Sequence, residues 1–354
     1  MATSKLSFGD RMVGRGAPVF VIAEAGVNHN GELALAHQLV DAAVAAGADA
    51  VKFQTFIAEN VITDDAVKAD YQMATTGSQE SQLEMVRRLQ LSFEDFRALK
   101  SYCDQRQIMF LSTPFDRESV DFLDQLGLAA FKISSGDLTN HPLLNHVAAK
   151  ARPMILSTGM SHIEEVREAL DVVRAAGNDR VVLLQCVTNY PAAPAEVNLK
   201  AMLTMEAAFA VPTGYSDHTL GIEVALAATA LGACVIEKHL TLDNDAWGPD
   251  HRASLEPDIF KAMVDGIRKV ESALGTGNKA PAASEIRNAQ VARRSIVAAH
   301  DIAAGARITT AEITFKRPGT GMPPKMADRV LGRTARVDLP AGTLLTLDML
   351  EDGK

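Results

Sequence analysis

The feature that most constrains this chain is a set of eight short apolar runs that alternate with segments of helical periodicity. Runs that are nearly continuous in apolar residues are typical of strands buried on both faces, as in a parallel sheet. Glycines before several of the runs suit the turns that lead from a helix into the next strand. The runs cover residues 19–25, 50–55, 108–114, 129–134, 154–157, 181–187, 211–215 and 234–240.

Eight strands that are each followed by a helix, within about the first 275 residues, predict an α/β fold of the (β/α)8 TIM-barrel type. The competing arrangement is a doubly wound open sheet, which is less favoured because no GxGxxG motif follows the first run. The second and third runs are separated by a long polar stretch, residues 59–91. This stretch predicts an extended loop over one end of the barrel.

The pattern changes after residue 275. Residues 301–313, which begin Asp-Ile-Ala-Ala-Gly, return in altered form as residues 338–350, which begin Asp-Leu-Pro-Ala-Gly. An internal repeat of this kind predicts a small β-rich domain made of two related halves. We therefore expect a barrel at 1–275, a linker at 276–292 and a small second domain at 293–354.

Composition excludes several classes of protein. The net charge of −9 argues against broad binding of nucleic acid or anionic lipid, although it allows a local basic pocket for a small anion. Three widely spaced cysteines support neither a disulfide framework nor a cysteine zinc site. The chain has no apolar run that resembles a signal peptide or is long enough to span a bilayer. We expect a cytoplasmic protein with neither nucleic acid nor membrane as a partner.

The predicted strands end repeatedly in ionisable or hydroxyl side chains. In a barrel the carboxyl ends of all strands converge on one face, where active sites are built. A single polar group at a strand end is usually satisfied by its neighbours, but a polar group at every end favours a site. These residues are Glu24, Lys52, Gln54, Thr113, Lys132, Ser134, Ser135, Ser157, Thr188, Ser216, His218, Glu237 and His239.

Two lysines lie within the predicted strands. The two-residue period of a strand places Lys52 on the same side as Gln54, and Lys132 on the same side as Ser134. Two inward lysines with several hydroxyls would make a compact site for a phosphate and a neighbouring carboxylate. The alternative is that both lysines form internal ion pairs with Glu24 or Glu237, and the two interpretations are compatible.

Two histidines, His218 and His239, end neighbouring strands. Two imidazoles on adjacent strands predict a divalent metal site whose other ligands are oxygen atoms and water. The alternative, which a lone histidine would favour, is a hydrogen-bonded core residue or a general base.

These residues resemble the N-acetylneuraminate (sialic acid) synthase family, which joins phosphoenolpyruvate to an N-acylated hexosamine. The resemblance covers nearly the whole chain, and its C-terminal part resembles the family's antifreeze-like, or SAF, domain. The matching segments are residues 20–31, 51–54, 112–115, 131–136, 156–159, 214–218, 237–239, 248–250 and 316–319.

The resemblance implies a role for each matching residue. The catalytic residues would be Glu24, Lys52, Lys132 and His239, and the metal, Mn2+, Mg2+ or another divalent cation, would be bound by His218 and His239. Phosphoenolpyruvate would be bound by Lys52, Thr113, Lys132, Ser135, Ser157, Thr188 and Ser216. The sugar would be bound by Gln54, Phe115, Asp137, Tyr190, Asp250 and Arg317.

Arg317 would reach the barrel of a second subunit, so the resemblance also implies a domain-swapped homodimer. The sugar stays open between N-acetylmannosamine and a 2,4-diacetamido-trideoxyhexose. The alternative functions are another phosphoenolpyruvate-dependent 3-deoxy-ketoacid synthase, or a catalytically inactive polysaccharide-binding protein.

Overall fold

The computed structural model describes residues 5–352, and the chain divides into two compact units, Met1–Gly275 and Thr276–Lys354. The termini of the predicted domains, residues 1–4 and 353–354, lie outside the described residues. Within residues 5–352 no helix combines the length and the apolar composition needed to cross a bilayer.

The first unit contains an eight-stranded parallel sheet preceded by a small antiparallel hairpin. The sheet has the order β5-β4-β3-β10-β9-β8-β7-β6, and the two outermost strands also contact each other, which gives a nearly closed barrel. The predicted (β/α)8 barrel is confirmed. The strands are β1 (Leu6–Phe8), β2 (Arg11–Val13), β3 (Phe20–Gly26), β4 (Ala50–Thr55), β5 (Met109–Pro114), β6 (Phe131–Ile133), β7 (Met154–Ser157), β8 (Val181–Cys186), β9 (Thr213–Asp217) and β10 (Val235–His239).

Helices follow each barrel strand and cover the outside of the sheet. Their apolar faces pack on the outward side chains of the strands in one large hydrophobic core. The helices are α1 (Leu33–Ala46), α2 (Ala58–Val61), α3 (Asp70–Thr76), α4 (Gln82–Leu89), α5 (Phe93–Gln105), α6 (Arg117–Leu126), α7 (His141–Ala148), α8 (Ile163–Ala175), α9 (Lys200–Phe209), α10 (Glu223–Ala230) and α11 (Pro257–Leu274).

The polar stretch at residues 59–91 is not an extended loop, because α3, α4 and most of α2 lie within it. A capping box stabilises the start of α4: Ser81 Oγ accepts from the Glu84 backbone N–H, and the Glu84 carboxylate accepts from the Ser81 N–H. The sequence prediction of an extended loop was wrong here, because the stretch folds into short helices.

A second, smaller core fills the amino-terminal end of the barrel interior. Leu6, Phe8 and Val13 of the β1–β2 hairpin pack against inward side chains of the barrel strands. Phe8 meets Phe20 edge-to-face, with ring centroids 5.4 Å apart. The hairpin thus plugs one end of the barrel with apolar residues, and the polar strand ends are left at the other.

The second unit begins with the exposed helix α12 (Glu285–Ala292), which lies in the segment predicted as a linker. Two antiparallel pairs follow, β11 (Ser295–Ala298) with β12 (Ile313–Lys316) and β13 (Thr334–Ala335) with β14 (Leu350–Glu351).

The internal repeat is visible as reciprocal hydrogen bonds between the two halves of the second unit. Asp301 Oδ1 accepts from the Ala341 N–H, and Asp338 Oδ1, at the equivalent position of the second half, accepts from the Ala304 N–H. Ile302 and Leu339 form an antiparallel bridge to each other. Each half therefore pairs with the other, and neither is complete alone.

Gly214 of β9 lies in a closely packed part of the barrel, and its packing leads to a testable prediction about stability. A Cβ at this position would lie 2.4 Å from the Val235 carbonyl oxygen and 2.8 Å from Leu184 Cδ2. We expect Gly214→Ala to push β9 away from β10 and to lower the free energy of unfolding by about 1–3 kcal/mol, measured by urea denaturation. Gly136→Ala is the matched control, because its nearest neighbour, Ser134 Oγ, is 3.7 Å away. Equal stability of the two variants would contradict this account of the packing.

Candidate active site

A cavity of about 550 Å³ opens at the carboxyl ends of the barrel strands. Its size is in the range of small-molecule sites. The structure brings together in this one cavity almost all the barrel residues that the sequence indicated. Those lining it are Glu24, Lys52, Gln54, Thr113, Phe115, Lys132, Ser134, Ser135, Ser157, Thr188, Tyr190, Ser216, His218, Glu237, His239 and Asp250.

A buried network of four charges forms the floor of the cavity. Lys52 Nζ lies 2.7 Å from Glu24 Oε2 and 3.8 Å from Glu237 Oε2. Lys132 Nζ lies 3.4 Å from Glu237 Oε1. All four side chains are at most 5% exposed. The internal ion pairs considered as the alternative are therefore present, and they place two ammonium groups in the same pocket.

The pKa shifts in this network distinguish its members. Burial raises the pKa of Glu24 to about 7, although Lys52 opposes the shift. Burial acts on Glu237 as well, but Lys132 and Lys52 outweigh it, and the pKa of Glu237 is lowered. Glu237 is thus the carboxylate that stays deprotonated at neutral pH. The protonation state of Glu24, whose pKa is near neutral pH, responds most readily to nearby charges.

The pKa values of the two lysines are also shifted in opposite directions. Burial favours the neutral form of Lys52, but Glu237 and Glu24 outweigh it and the pKa of Lys52 is raised. For Lys132 burial prevails over the attraction of Glu237, and its pKa is lowered. Lys132 is the less completely paired ammonium, and it has the most to gain from an anionic ligand.

Hydroxyl groups surround the lysines. Thr113 Oγ1 accepts from Lys52 Nζ at 3.1 Å, and Ser216 Oγ donates to Glu237 Oε1 at 3.1 Å. Ser135 Oγ accepts from the Gly159 N–H at 3.0 Å. Ser157 Oγ is buried and has no hydrogen-bond partner among the described residues. An unsatisfied buried hydroxyl at a cavity wall is the group expected to bind a ligand oxygen.

The two histidines lie side by side, with ring centroids 5.3 Å apart. His218 Nδ1 is 2.6 Å from the Val187 carbonyl oxygen, so this nitrogen carries the hydrogen and the lone pair is on Nε2. His239 Nδ1 is buried without a hydrogen-bond partner among residues 5–352 and lies 4.0 Å from Asp250 Oδ2. Burial lowers the pKa of His239 well below its usual value, which keeps this imidazole neutral.

These features fit a metal site in which the protein supplies only part of the coordination shell. A neutral imidazole whose buried nitrogen has no hydrogen-bond partner can bind a metal ion without first losing a proton. Burial opposes protonation of His218, but Cys186 outweighs it and the pKa of His218 is raised, so a metal there would compete with a proton. Within the described part of the chain, no three His, Cys, Asp or Glu side chains form a metal cluster. Oxygen atoms of water or substrate would have to complete the coordination.

Tyr190 packs directly on the histidines, although the resemblance places it only in the sugar pocket. Its ring centroid is 4.0 Å from that of His218 and 5.6 Å from that of His239. Tyr71 of α3 stacks on the other side of Tyr190 at 5.0 Å. Tyr190, in the loop after β8, therefore packs on both histidines, and Tyr71 of the helical segment after β4 packs on Tyr190. Sequence reasoning did not identify Tyr71 as a site residue.

One predicted sugar residue of the barrel does not line the cavity, and another belongs to the second unit. Asp137 does not line the cavity, and its carboxylate accepts from Ser134 Oγ at 2.8 Å and from Asn140 Nδ2 at 3.2 Å. Arg317 belongs to the second unit, where its Nε donates to the Ala292 carbonyl oxygen at 3.0 Å. Gln54, by contrast, lines the cavity and donates from Nε2 to Glu24 Oε1 at 3.2 Å.

A fully buried ion pair lies behind the histidines, on the outward face of β9 and β10. Lys238 Nζ contacts Asp217 Oδ2 at 2.8 Å, and both side chains are 0% exposed. Asp217 Oδ1 also accepts from Tyr215 Oη and from the N–H and Oγ1 of Thr219. The signal for this pair was available in the sequence, because each member directly precedes a histidine and the two-residue period of a strand turns it to the opposite face.

Comparison with known proteins identifies the family. A model described as the NeuB family matches residues 39–279, and a model of the SAF domain matches residues 293–351. The chain belongs to the NeuB family.

Curated members of the NeuB family include synthases that match nearly the whole chain. The N,N'-diacetyllegionaminic acid synthase of Legionella pneumophila is 45% identical over 99% of this chain and 100% of its own length. The synthase of the same name from Campylobacter jejuni is 49% identical over 89% of this chain and 95% of its own length.

A solved structure agrees with these relatives. An N-acetylneuraminic acid (sialic acid) synthetase from Leptospira borgpetersenii, determined in complex with citrate, has a TM-score of 0.71 and 33% identity over 81% of this chain and 95% of that one. The NeuB-family chain is therefore an enzyme, and the relatives named above are synthases of nonulosonic acids.

The loop after β3 carries a histidine whose protonation is linked to stability. His29 is 1% exposed, and its Nδ1 accepts from the Gly31 N–H at 3.1 Å, which requires an unprotonated ring nitrogen. Burial lowers the pKa of His29 from 6.5 to about 4. As pH falls from 6.5 to 4, the unfolded chain binds a proton that the folded chain does not, so stability is lost across that window.

We expect His29→Asn to remove this acid-sensitive contribution while it keeps an acceptor for Gly31. The wild-type protein should lose up to about 3 kcal/mol more stability than the variant between pH 6.5 and pH 4. Urea unfolding at several pH values measures the difference, with the exposed His162→Asn as control. Parallel stability profiles for His29→Asn and the wild type would contradict the prediction.

Proposed function

We propose that this enzyme condenses phosphoenolpyruvate with the open-chain form of an N-acetylated hexosamine, giving a nonulosonic acid and phosphate. The observation that carries the proposal is the pair of buried lysines beside two histidines in one cavity. Such a pocket matches a small, strongly anionic substrate next to an electrophile. The relatives named as synthases of legionaminic and N-acetylneuraminic acids support the product class.

Phosphoenolpyruvate would occupy the floor of the cavity. Lys132, the less completely paired ammonium, and the unpartnered Ser157 hydroxyl would bind oxygens of the anion. Lys52, Thr113, Ser135, Thr188 and Ser216 would supply the remaining contacts. Glu237 holds both lysines in place before the anion enters, and its interactions weaken as the substrate charge replaces it.

A divalent cation, Mn2+, Mg2+ or another, would be held by His218 and His239. The unpaired His239 Nδ1 and the fixed tautomer of His218 are the features that fit it. When bound, such an ion supplies Lewis acidity toward a carbonyl oxygen. Tyr190 packs on both imidazoles, and Tyr71 stacks on Tyr190.

The carboxylate of Glu24 is placed to stabilise positive charge. Attack of C3 of the enol phosphate on the sugar aldehyde forms the new C–C bond as the C=O π bond breaks, and the aldehyde oxygen takes up a proton to become a hydroxyl group. C2 is left electron-deficient, and a buried anion stabilises that charge. Water then adds at C2, and cleavage of the C2–O bond releases phosphate. With its pKa near 7, Glu24 would accept the proton that the water loses, and Lys52 and Lys132 would hold the departing phosphate.

Phosphate release from phosphoenolpyruvate tests the proposal. With Mn2+ and a panel of N-acetylated hexosamines, we expect release with at least one sugar and none after chelation. His239→Asn should lower kcat by at least about 100-fold and weaken Mn2+ binding, whereas His162→Asn on the surface should change neither. No release with any sugar would reject the proposal and favour a polysaccharide-binding protein, and full activity of His239→Asn in chelator would reject the metal site.

We propose further that the enzyme is a domain-swapped homodimer in which Arg317 serves the barrel of the other subunit. Arg317 is exposed and forms no ion pair within residues 5–352, so its guanidinium is available to a ligand. Helix α12 has no buried residue, and its Ile286 and Val291 are 57% and 68% exposed.

Complementation between two variants tests the swap. Lys132→Met removes an anion-binding ammonium from the barrel, and Arg317→Ala removes the guanidinium from the loop of the second unit. Each variant alone should therefore be nearly inactive. In a swapped heterodimer one site combines an intact barrel with an intact Arg317, and an equal mixture should recover about one quarter of the wild-type activity. Native mass spectrometry verifies that subunits exchange. Exchange without recovery would contradict the swapped arrangement.

A further inference from the structure

Two opposite charges lie together on the outward face of the barrel sheet, in the layer that forms the main hydrophobic core. Asp217 and Lys238 are direct neighbours across β9 and β10, and both side chains are 0% exposed. The cost of removing two charges from water is seldom recovered from their mutual attraction. Stability alone therefore does not explain an ion pair at this position.

The register between β9 and β10 ends at this pair. His239 is still within a strand, because it lies opposite Glu24 of β3. His218, in contrast, follows the last residue of β9, and in the described part of the chain no residue of β10 lies opposite it. The spacing of the two imidazoles therefore depends on contacts beyond the end of the strand pairing.

The Lys238 side chain supplies such contacts, because it holds both residues that flank His218. Its Nζ lies 2.8 Å from Asp217 Oδ2 and also donates to the Thr219 carbonyl oxygen. Asp217 Oδ1 in turn accepts from the Thr219 N–H and from Thr219 Oγ1, both at 2.8 Å. One ammonium and one carboxylate thus fix the backbone around His218, and the ammonium belongs to the residue that precedes His239.

The loop after β8 holds His218 from the other side. The Ala192 N–H donates to the His218 carbonyl oxygen at 2.8 Å, and the ring Nδ1 is bonded to the Val187 carbonyl oxygen. These contacts orient the ring relative to β8 but do not connect it to β10. The contacts of Lys238 connect the backbone around His218 to the strand that carries His239.

We infer that Lys238 and Asp217 are positioning residues for the metal site, and that their ion pair sets the spacing of the two imidazoles. The inference rests on the metal site of the proposed function and adds the residues on which its affinity depends. Groups that hold metal ligands in place commonly change metal affinity by about 10–100-fold when they are removed.

Two variants separate positioning from stability. Lys238→Met leaves the Asp217 carboxylate buried without its counter-charge, so it should lower both the stability and the Mn2+ affinity. The double variant Asp217→Asn/Lys238→Met contains neither charge and keeps an amide oxygen that can accept from Thr219. Replacement of a buried ion pair by neutral groups of similar volume is often neutral for stability. The double variant should therefore recover the urea midpoint of the wild type but not its Mn2+ affinity.

Two further variants are matched controls. Tyr215→Phe removes a hydrogen bond of 3.1 Å to the same carboxylate from within β9 and leaves the ion pair intact. Lys68→Met removes another buried ammonium, which donates to Thr76 Oγ1 and to the Gly77 carbonyl oxygen between β4 and β5. Both variants should bind Mn2+ as tightly as the wild type does, whatever their stability.

The experiment measures metal affinity and stability on the same metal-free samples. Titration with Mn2+, followed by the electron paramagnetic resonance signal of the free ion, gives the affinity, and urea unfolding gives the midpoint. We expect Lys238→Met and the double variant to bind Mn2+ about 10–100-fold more weakly than the wild type.

The outcomes separate the inference from the function on which it rests. Wild-type Mn2+ affinity in the double variant would overturn the inference. Failure of the double variant to fold would also overturn it, because the pair would then serve stability, and so would an equal loss of affinity in Lys68→Met. Absence of Mn2+ binding by the wild type would instead reject the proposed metal site, and the phosphate-release assay tests the condensation separately.

Discussion

The structure of the site depends on four charges buried together at the carboxyl end of the barrel. Lys52 and Lys132 cannot remain inside a protein unpaired, and Glu24 and Glu237 are the partners that make their burial possible. The carboxylates are in turn stabilised by the lysines and by Ser216. This mutual dependence fixes two ammonium groups a short distance apart, and an incoming anion can compete for them without first recruiting them from solvent.

The barrel makes this arrangement possible through the alternation of its strands. Inward residues at the amino-terminal end are apolar and pack against the β1–β2 hairpin, whereas the polar side chains that line the cavity lie at the other end. Side chains on the outward face of the strands also help to position the site. The Asp217–Lys238 pair joins β9 to β10 directly behind the two histidines and fixes the register that sets them side by side. The same strands therefore carry the two histidines on their inward face and the ion pair that holds their register on their outward face.

The sequence predicted the fold and the floor of the site because both follow from short-range patterns. Apolar runs located the strands, and the residues that end those runs, such as Lys132 and His239, converge by the topology of a barrel. Three features lacked such a signal. The segment between β4 and β5 forms short helices where an extended loop was predicted, Asp137 accepts hydrogen bonds from Ser134 and Asn140, and Tyr71 reaches the site only through the tertiary fold. The resemblance to known synthases gave the placement of Arg317, which no local pattern indicates.

The central claim is that the two lysines are an anion site kept ready by carboxylates. A crystal structure of the enzyme with phosphoenolpyruvate tests it most directly. The account predicts phosphate or carboxylate oxygens about 2.7–3.2 Å from Lys132 Nζ and Ser157 Oγ, with Glu237 displaced from at least one lysine. Phosphoenolpyruvate bound outside this cavity, with both lysine–carboxylate pairs unchanged, would contradict the account.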